Sequence, residues 1–210
     1  VFEQDVQSQG TFLTIERFDQ MEKRIPFHDI RRKRDLYLYR MQALFRLDEY
    51  STARADALRL DRMSLPDSAY DRLAKGLNFL FQDHLDLAAS EFSSAIERDP
   101  LCLPAHQWLT LLNAGSDIQK AEKHARILMD ADPNVSHFRL LVRILFAQEK
   151  HQQIWNLMLE VDAAPDQWDP LTLEQGGVSA GKVGKIQRSE MLLELSKEKS
   201  SETSAQIDGI

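Results

Sequence analysis

The segment Gly176-Gly177-Val178-Ser179-Ala180-Gly181-Lys182 has the spacing of a phosphate-binding loop, in which a glycine, four residues and Gly-Lys let backbone N–H groups wrap a triphosphate. Two neighbours argue against that chemistry. Val183 stands where a Ser or Thr hydroxyl would hold magnesium, and the preceding Leu171-Thr172-Leu173-Glu174-Gln175 is a poor buried strand. The segment therefore reads as a flexible linker. His28, His84, His106, His124, His137 and His151 include no pair at the i, i+4 spacing of a metal site, and Cys102 is the sole cysteine. Asp162, Asp166 and Asp169 fall in a turn-rich stretch where solvated charge is the ordinary condition, and no Gly-x-Ser-x-Gly elbow occurs. No residue is assigned a catalytic role, no metal or cofactor is expected, and the chain is read as a non-enzyme.

The elements that would position any site are helices. Gly and Pro number only 8 and 7 in 210 residues, and Leu, Ala, Glu, Arg and Gln outweigh the β-branched types, which favours an all-α fold with enough apolar content for a core. The net charge of −7 argues against a dedicated nucleic-acid binder, because clustered cations must neutralise phosphate. Arg31-Arg32-Lys33-Arg34 is the one strong basic run. It opens a helix and reads as a solvated first turn, with an acidic or phosphate-bearing partner as the functional alternative. No apolar stretch is long enough to span a bilayer, and Val1-Phe2-Glu3-Gln4-Asp5 lacks the basic and apolar regions of a signal peptide. A cytoplasmic location is expected, with export or membrane tethering through a preceding segment left open.

Periodicity gives the architecture. Pro26, Pro66, Pro100, Pro133 and Pro165 are separated by 40, 34, 33 and 32 residues. Before Pro100, Gly76 is followed by Phe79, Ala88, Phe92 and Ala95 at intervals that describe two helices and a turn. Gly76 and Ala88 are small where antiparallel helices approach, Phe79 and Phe92 fill the space between them, and the proline ends the second helix. The frame continues through Tyr37, Met41, Leu44, Ala53, Ala57 and Leu60 before Pro66, and through Ala105, Trp108, Leu109, Ala121, Ala125 and Leu128 before Pro133. A fourth copy holds Phe138, Leu141, Val142, Leu145, Ile154, Met158 and Val161, and Ser116-Asp117-Ile118-Gln119 reads as a capping box.

Over roughly residues 11 to 165 the chain resembles the tetratricopeptide repeat family, most clearly from Ala69 to the run Ala95-Ile96-Glu97-Arg98-Asp99-Pro100. The sequence departs from the family pattern at Arg72, Leu109 and Val142. The resemblance implies a right-handed superhelix of stacked antiparallel hairpins, an α-solenoid of about four repeats over residues 1–169. It also implies a concave surface lined by Asp35, Leu38, Gln42 and Phe45; by Tyr70, Leu73, Leu77 and Leu80 with Phe81; by Leu103, His106, Thr110 and Asn113; and by Ser136, Arg139, Arg143 and Phe146. Within those sets the expected partner-binding residues are Leu38, Phe45, Tyr70, Leu73, Leu77, Leu80, Phe81, His106, Asn113, Arg139, Arg143 and Phe146. The helix from Ala69 to Phe81 is apolar on its inward as well as its packing face, so the expected groove is centred there, with Arg139 and Arg143 accepting an acidic group. Leu38 and Gln42 stand where carboxylate-clamp repeats carry Lys and Asn.

Residues 170–210 are expected as a Gly-rich linker, a short amphipathic helix and a flexible tail, which caps the last hairpin, folds back into the groove, or stays disordered until bound. The expected function is a protein–protein interaction scaffold or adaptor that holds another protein or peptide segment. The alternatives are a tetratricopeptide-type chaperone for a secreted or aggregation-prone client, and the interaction domain of a longer regulatory protein.

Overall fold

The computed structural model of the chain describes residues 12–46, 50–161 and 165–208, with the side chains of 12–16, 42, 45–46, 50 and 202–208 left out of that description. Among the described residues there are eleven α-helices, one short 3-10 turn and no strand. The helices are α1 (Phe12–Arg24), α2 (Ile30–Arg46), α3 (Tyr50–Met63), α4 (Ala69–Leu80), α5 (Leu85–Arg98), α6 (Leu103–Asn113), α7 (Ile118–Ala131), α8 (Val135–Ala147), α9 (His151–Glu160), α10 (Pro170–Lys182) and α11 (Ile186–Asp208). No helix among the described residues is long and apolar enough to cross a membrane.

All five periodic prolines fall between helices, with Pro66, Pro100, Pro133 and Pro165 just beyond the ends of α3, α5, α7 and α9. Pro suits these sites because it cannot donate an interior helical hydrogen bond. Three of the helices that follow these prolines, α4, α8 and α10, start on a side-chain cap, as does α7 within its pair. Ser68, Asp117, Asn134 and Asp169 each accept the backbone N–H three residues on, at Asp71, Lys120, His137 and Thr172. The cap of α7 is thus Asp117, one residue later than the Ser116 box expected from sequence.

Three turns inside helix pairs share one geometry. His84 N–H donates to the Phe79 carbonyl, Lys150 N–H to Leu145 and Lys185 N–H to Ala180, each a bond that spans back over five residues. The residue before each donor is left-handed: Asp83 at φ 62°, Glu149 at φ 56° and Gly184 at φ 77°. The recurrence at Gly184 makes α10 and α11 a further hairpin built like those before it.

The chain divides into two compact units, one ending at Trp108 and the other beginning at Leu109. In the first, α2 packs on α1 and α3, α3 on α4, and α4 on α5. Phe18, Leu36 and Ala43 form one buried cluster there. Gly76 is tight against Phe92, whose ring stacks on Trp108 with centroids 6.3 Å apart. In the second, α8 packs on α7, α9 and α10, and α10 packs on α9 and α11. Its core joins Phe138, Leu141, Leu145, Ile154 and Met158 to Trp168, Leu173 and Leu192.

That core includes residues on both sides of the expected boundary at 169/170. The Gly-rich segment lies within the helix α10, and Leu173 on α10 and Leu192 on α11 share a core with α8 and α9. Glycine clusters break exposed helices because they order at an entropic cost. Here the absence of side chains permits close packing instead. A Cβ on Gly177 would lie 2.8 Å from Leu193 Cγ, one on Gly181 3.0 Å from Ser189 Oγ, and one on Gly176 3.1 Å from Met158 Sδ. The backbone groups that a phosphate loop would offer are in a helix, and Gly176, Gly177, Ser179 and Ala180 are buried. Of the fates expected for the tail, the one observed is packing on the last hairpin: Leu192 is in the core, Ser196 Oγ donates to the Pro170 carbonyl at 2.7 Å, and Lys199 Nζ reaches the Trp168 carbonyl at 3.0 Å.

Candidate partner-binding site

In the first unit the expected site centres on α4. Its side chains divide by helical angle. Leu73 and Leu77 are 0% exposed and Leu80 and Leu38 are 8% exposed, so the expected apolar stripe is core and offers no open surface. Sequence assigned these positions to a groove because the helix is apolar over a wide arc. The structure spends that arc on packing α4 between α3 and α5. The accessible aromatics lie towards its two ends: Tyr70, Phe79 and Phe81 are all half-buried. Arg34 lies over the Tyr70 ring, 4.3 Å from its centroid, a cation–π contact that ties the start of α2 to α4. Burial, with the nearby Asp35 carboxylate, holds the Tyr70 hydroxyl above its usual pKa.

The solvent side of α4 is a network of charges. Arg72 bonds Asp67 at 2.6 Å and Glu91 at 3.1 Å, Arg98 bonds the other Asp67 oxygen at 2.9 Å, and Lys75 bonds Asp71 at 2.9 Å. Arg72 thus anchors α4 to α5 through Glu91. His106 is buried, and its Nε2 donates to the Pro100 carbonyl at 3.0 Å. Burial lowers its pKa, so it is a neutral strut at the start of α6 rather than a group on a binding surface. Phe45, like Gln42, lies outside the described side chains.

The remaining expected residues lie in the second unit. Asn113 Nδ2 turns back to the Leu109 carbonyl at 2.8 Å. Phe146 packs against the unit's core and meets His151 edge-on at 5.7 Å. The basic pair already has an acidic partner within the chain. Arg139 Nε is 3.0 Å from Asp169 Oδ2, Arg139 also donates to the Gln167 carbonyl at 2.6 Å, and Arg143 is 3.7 Å from Asp169 Oδ1. Asp169 itself caps α10, accepting from Thr172 N at 3.0 Å and Thr172 Oγ1 at 2.8 Å. Burial disfavours this carboxylate, but the Thr172 bonds and the two guanidinium charges outweigh it and leave its pKa below the usual value.

Two polar clusters were missed from sequence. Arg40 on α2 bonds both oxygens of the fully buried Asp56 on α3 at 2.6 Å and Asp19 on α1 at 2.6 Å, joining three helices. Glu122 on α7 gathers Lys150 at 2.5 Å, Gln148 at 2.7 Å and Arg126 at 2.7 Å. Only Arg126 sits at a helical spacing from Glu122, so the other partners left no local signal. Among the described residues no group of three or more His, Cys, Asp and Glu could hold a metal ion.

No family model matches the chain, and no curated protein matches its sequence.

Proposed function

We propose that the chain is a helical-repeat scaffold of the tetratricopeptide type that holds a segment of another protein. The supporting observation is the recurrence of one hairpin plan: proline between pairs, a side-chain cap at the next start, and the same left-handed turn at Asp83, Glu149 and Gly184. Repetition of this kind makes an extended surface rather than one enclosed pocket. On this reading the hairpins wind as a superhelix, and the partner segment engages aromatic side chains at the rim of the array.

Tyr70 and Phe81 are the residues assigned to that contact. Eleven residues apart, they lie about 16 Å apart along α4 and within roughly 20° of one face. Both retain accessible surface while Leu77 between them is buried. A partner would touch the two ends of α4 and bridge its covered middle. The test is quantitative capture of the native partner by full-length chain carrying Tyr70→Ala and Phe81→Ala together. At least about a tenfold loss of affinity, with helical content and melting unchanged, supports the assignment, since buried aromatic anchors commonly dominate such contacts. Unchanged affinity overturns it.

A further inference from the structure

The turn between α1 and α2 carries an exposed aromatic side chain in a cationic setting. Phe27 is 92% exposed, the most of any large hydrophobic residue among those described, and Ile30 beside it is 49% exposed. Residues 23–34 read Lys-Arg-Ile-Pro-Phe-His-Asp-Ile-Arg-Arg-Lys-Arg, six cations with a single carboxylate in a chain whose net charge is −7. The fold gathers them: Lys23 and Arg24 close α1, the arginines and Lys33 open α2, and the two helices pack on each other, so both sets meet at one end of the pair. Arg34 is engaged with Tyr70, and Asp29 caps α2 through Arg32 N at 3.1 Å while pairing with the Arg32 side chain at 3.4 Å. Lys23, Arg24 and Arg31 are exposed around the tip, and Lys33 Nζ lies 4.8 Å from the Phe27 ring centre.

We propose that this tip docks the protein on an anionic lipid bilayer, with Phe27 and Ile30 entering the headgroup boundary and the surrounding cations facing lipid phosphates and carboxylates. Charge complementarity selects the occupant's sign. Cations crowded at a helix N-terminus oppose the helix dipole, an arrangement that costs stability in isolation and is relieved by a negative surface. The exposure of Phe27 selects a bilayer over an acidic peptide. A side chain this far out is not half-seated in a groove that a peptide could complete, whereas a fluid interface deforms around a single aromatic residue.

The test is co-sedimentation of the full-length chain with vesicles of phosphatidylcholine containing about one third phosphatidylserine, beside vesicles of phosphatidylcholine alone. The expected result is pelleting on the mixed vesicles only, weakening as salt rises from about 0.15 M to about 0.5 M. Phe27→Ser and the pair Arg31→Glu, Lys33→Glu should each lower partitioning by at least about fivefold with unchanged circular dichroism. Phe27→Trp should show a blue-shifted emission on mixed vesicles that the parent chain, with its own three tryptophans, does not. No pelleting, equal pelleting on neutral vesicles, or no Phe27→Trp shift would overturn the proposal. So would full binding by Phe27→Ser with comparable binding of soluble polyglutamate, which would mark the patch as a site for acidic protein.

Discussion

Arg139 on α8 and Asp169 at the start of α10 form an ion pair across 3.0 Å, and Asp169 accepts two hydrogen bonds from Thr172 in the first turn of its own helix. One carboxylate thus both caps α10 and ties it to α8. Asp169→Ala should destabilise the second unit by about 1 kcal/mol or more, the usual cost of a lost cap, and Asp169→Asn should cost less because its amide oxygen still caps. The pH dependence has a definite sign. The folded-state pKa is lowered, so this stabilisation is complete above the ordinary carboxylate range and is lost as pH falls through the depressed value. Thermal melts from pH 7 to pH 3 should therefore converge for the parent and Asp169→Ala at the acid end.

Gly76→Ala sets two effects against each other. In an open helix the change stabilises by about 1 kcal/mol. Here the new Cβ would stand 2.5 Å from a carbon of the buried Phe92 ring, which also stacks on Trp108. Overpacking should win, giving a net loss of about 1–3 kcal/mol in a denaturant titration. Adding Phe92→Leu should recover part of it.

Asp83 and Glu149 hold positive φ in turns where Gly184 does the same without a side chain. Asp83→Gly and Glu149→Gly should each be neutral or stabilising, by up to about 1 kcal/mol, because the left-handed conformation strains a residue with a Cβ. Lower melting temperatures in both variants would contradict the shared turn geometry.

Arg40 and Asp56 are both buried and bonded through two contacts. Removing one partner, as in Arg40→Met, should cost about 3–5 kcal/mol because the other charge is left without compensation. Arg40→Met with Asp56→Leu should restore much of the loss in the same titration, whereas additive losses would contradict the pairing.

Cys102 is buried, and burial pushes its thiol pKa up to about 11. At pH 8 the native chain should react with a thiol reagent at least about a hundredfold more slowly than free cysteine, and at the ordinary rate once denatured. The neutral thiol favours the fold, so its contribution is present below about pH 8.5 and drains away as pH rises toward 11.

The helices and the packing of each on its neighbour were legible because their markers act locally. Pro66, Pro100 and Pro133 each follow a helix end, and the small Gly76 faces the large Phe92 ring where α4 and α5 pack. The groove was not legible, because whether Leu73 and Leu77 face a partner or a neighbouring helix depends on the width of the packed arc, which apolar type alone does not encode. The Gly-rich segment misled for the opposite reason. Its composition signals a linker, but Gly176, Gly177 and Gly181 are small to admit Met158, Leu193 and Ser189. Arg139 and Arg143 looked available because their partner, Asp169, is distant in sequence and looked like a loop charge.

The scaffold assignment is tested most directly by placing a photo-reactive phenylalanine analogue at Tyr70, Phe81 or the exposed Glu190 of the full-length chain in native cells. The account predicts a discrete protein adduct from positions 70 and 81 and none from 190. Adducts at 190 with none at either end of α4, or no position-dependent adduct at all, would contradict it.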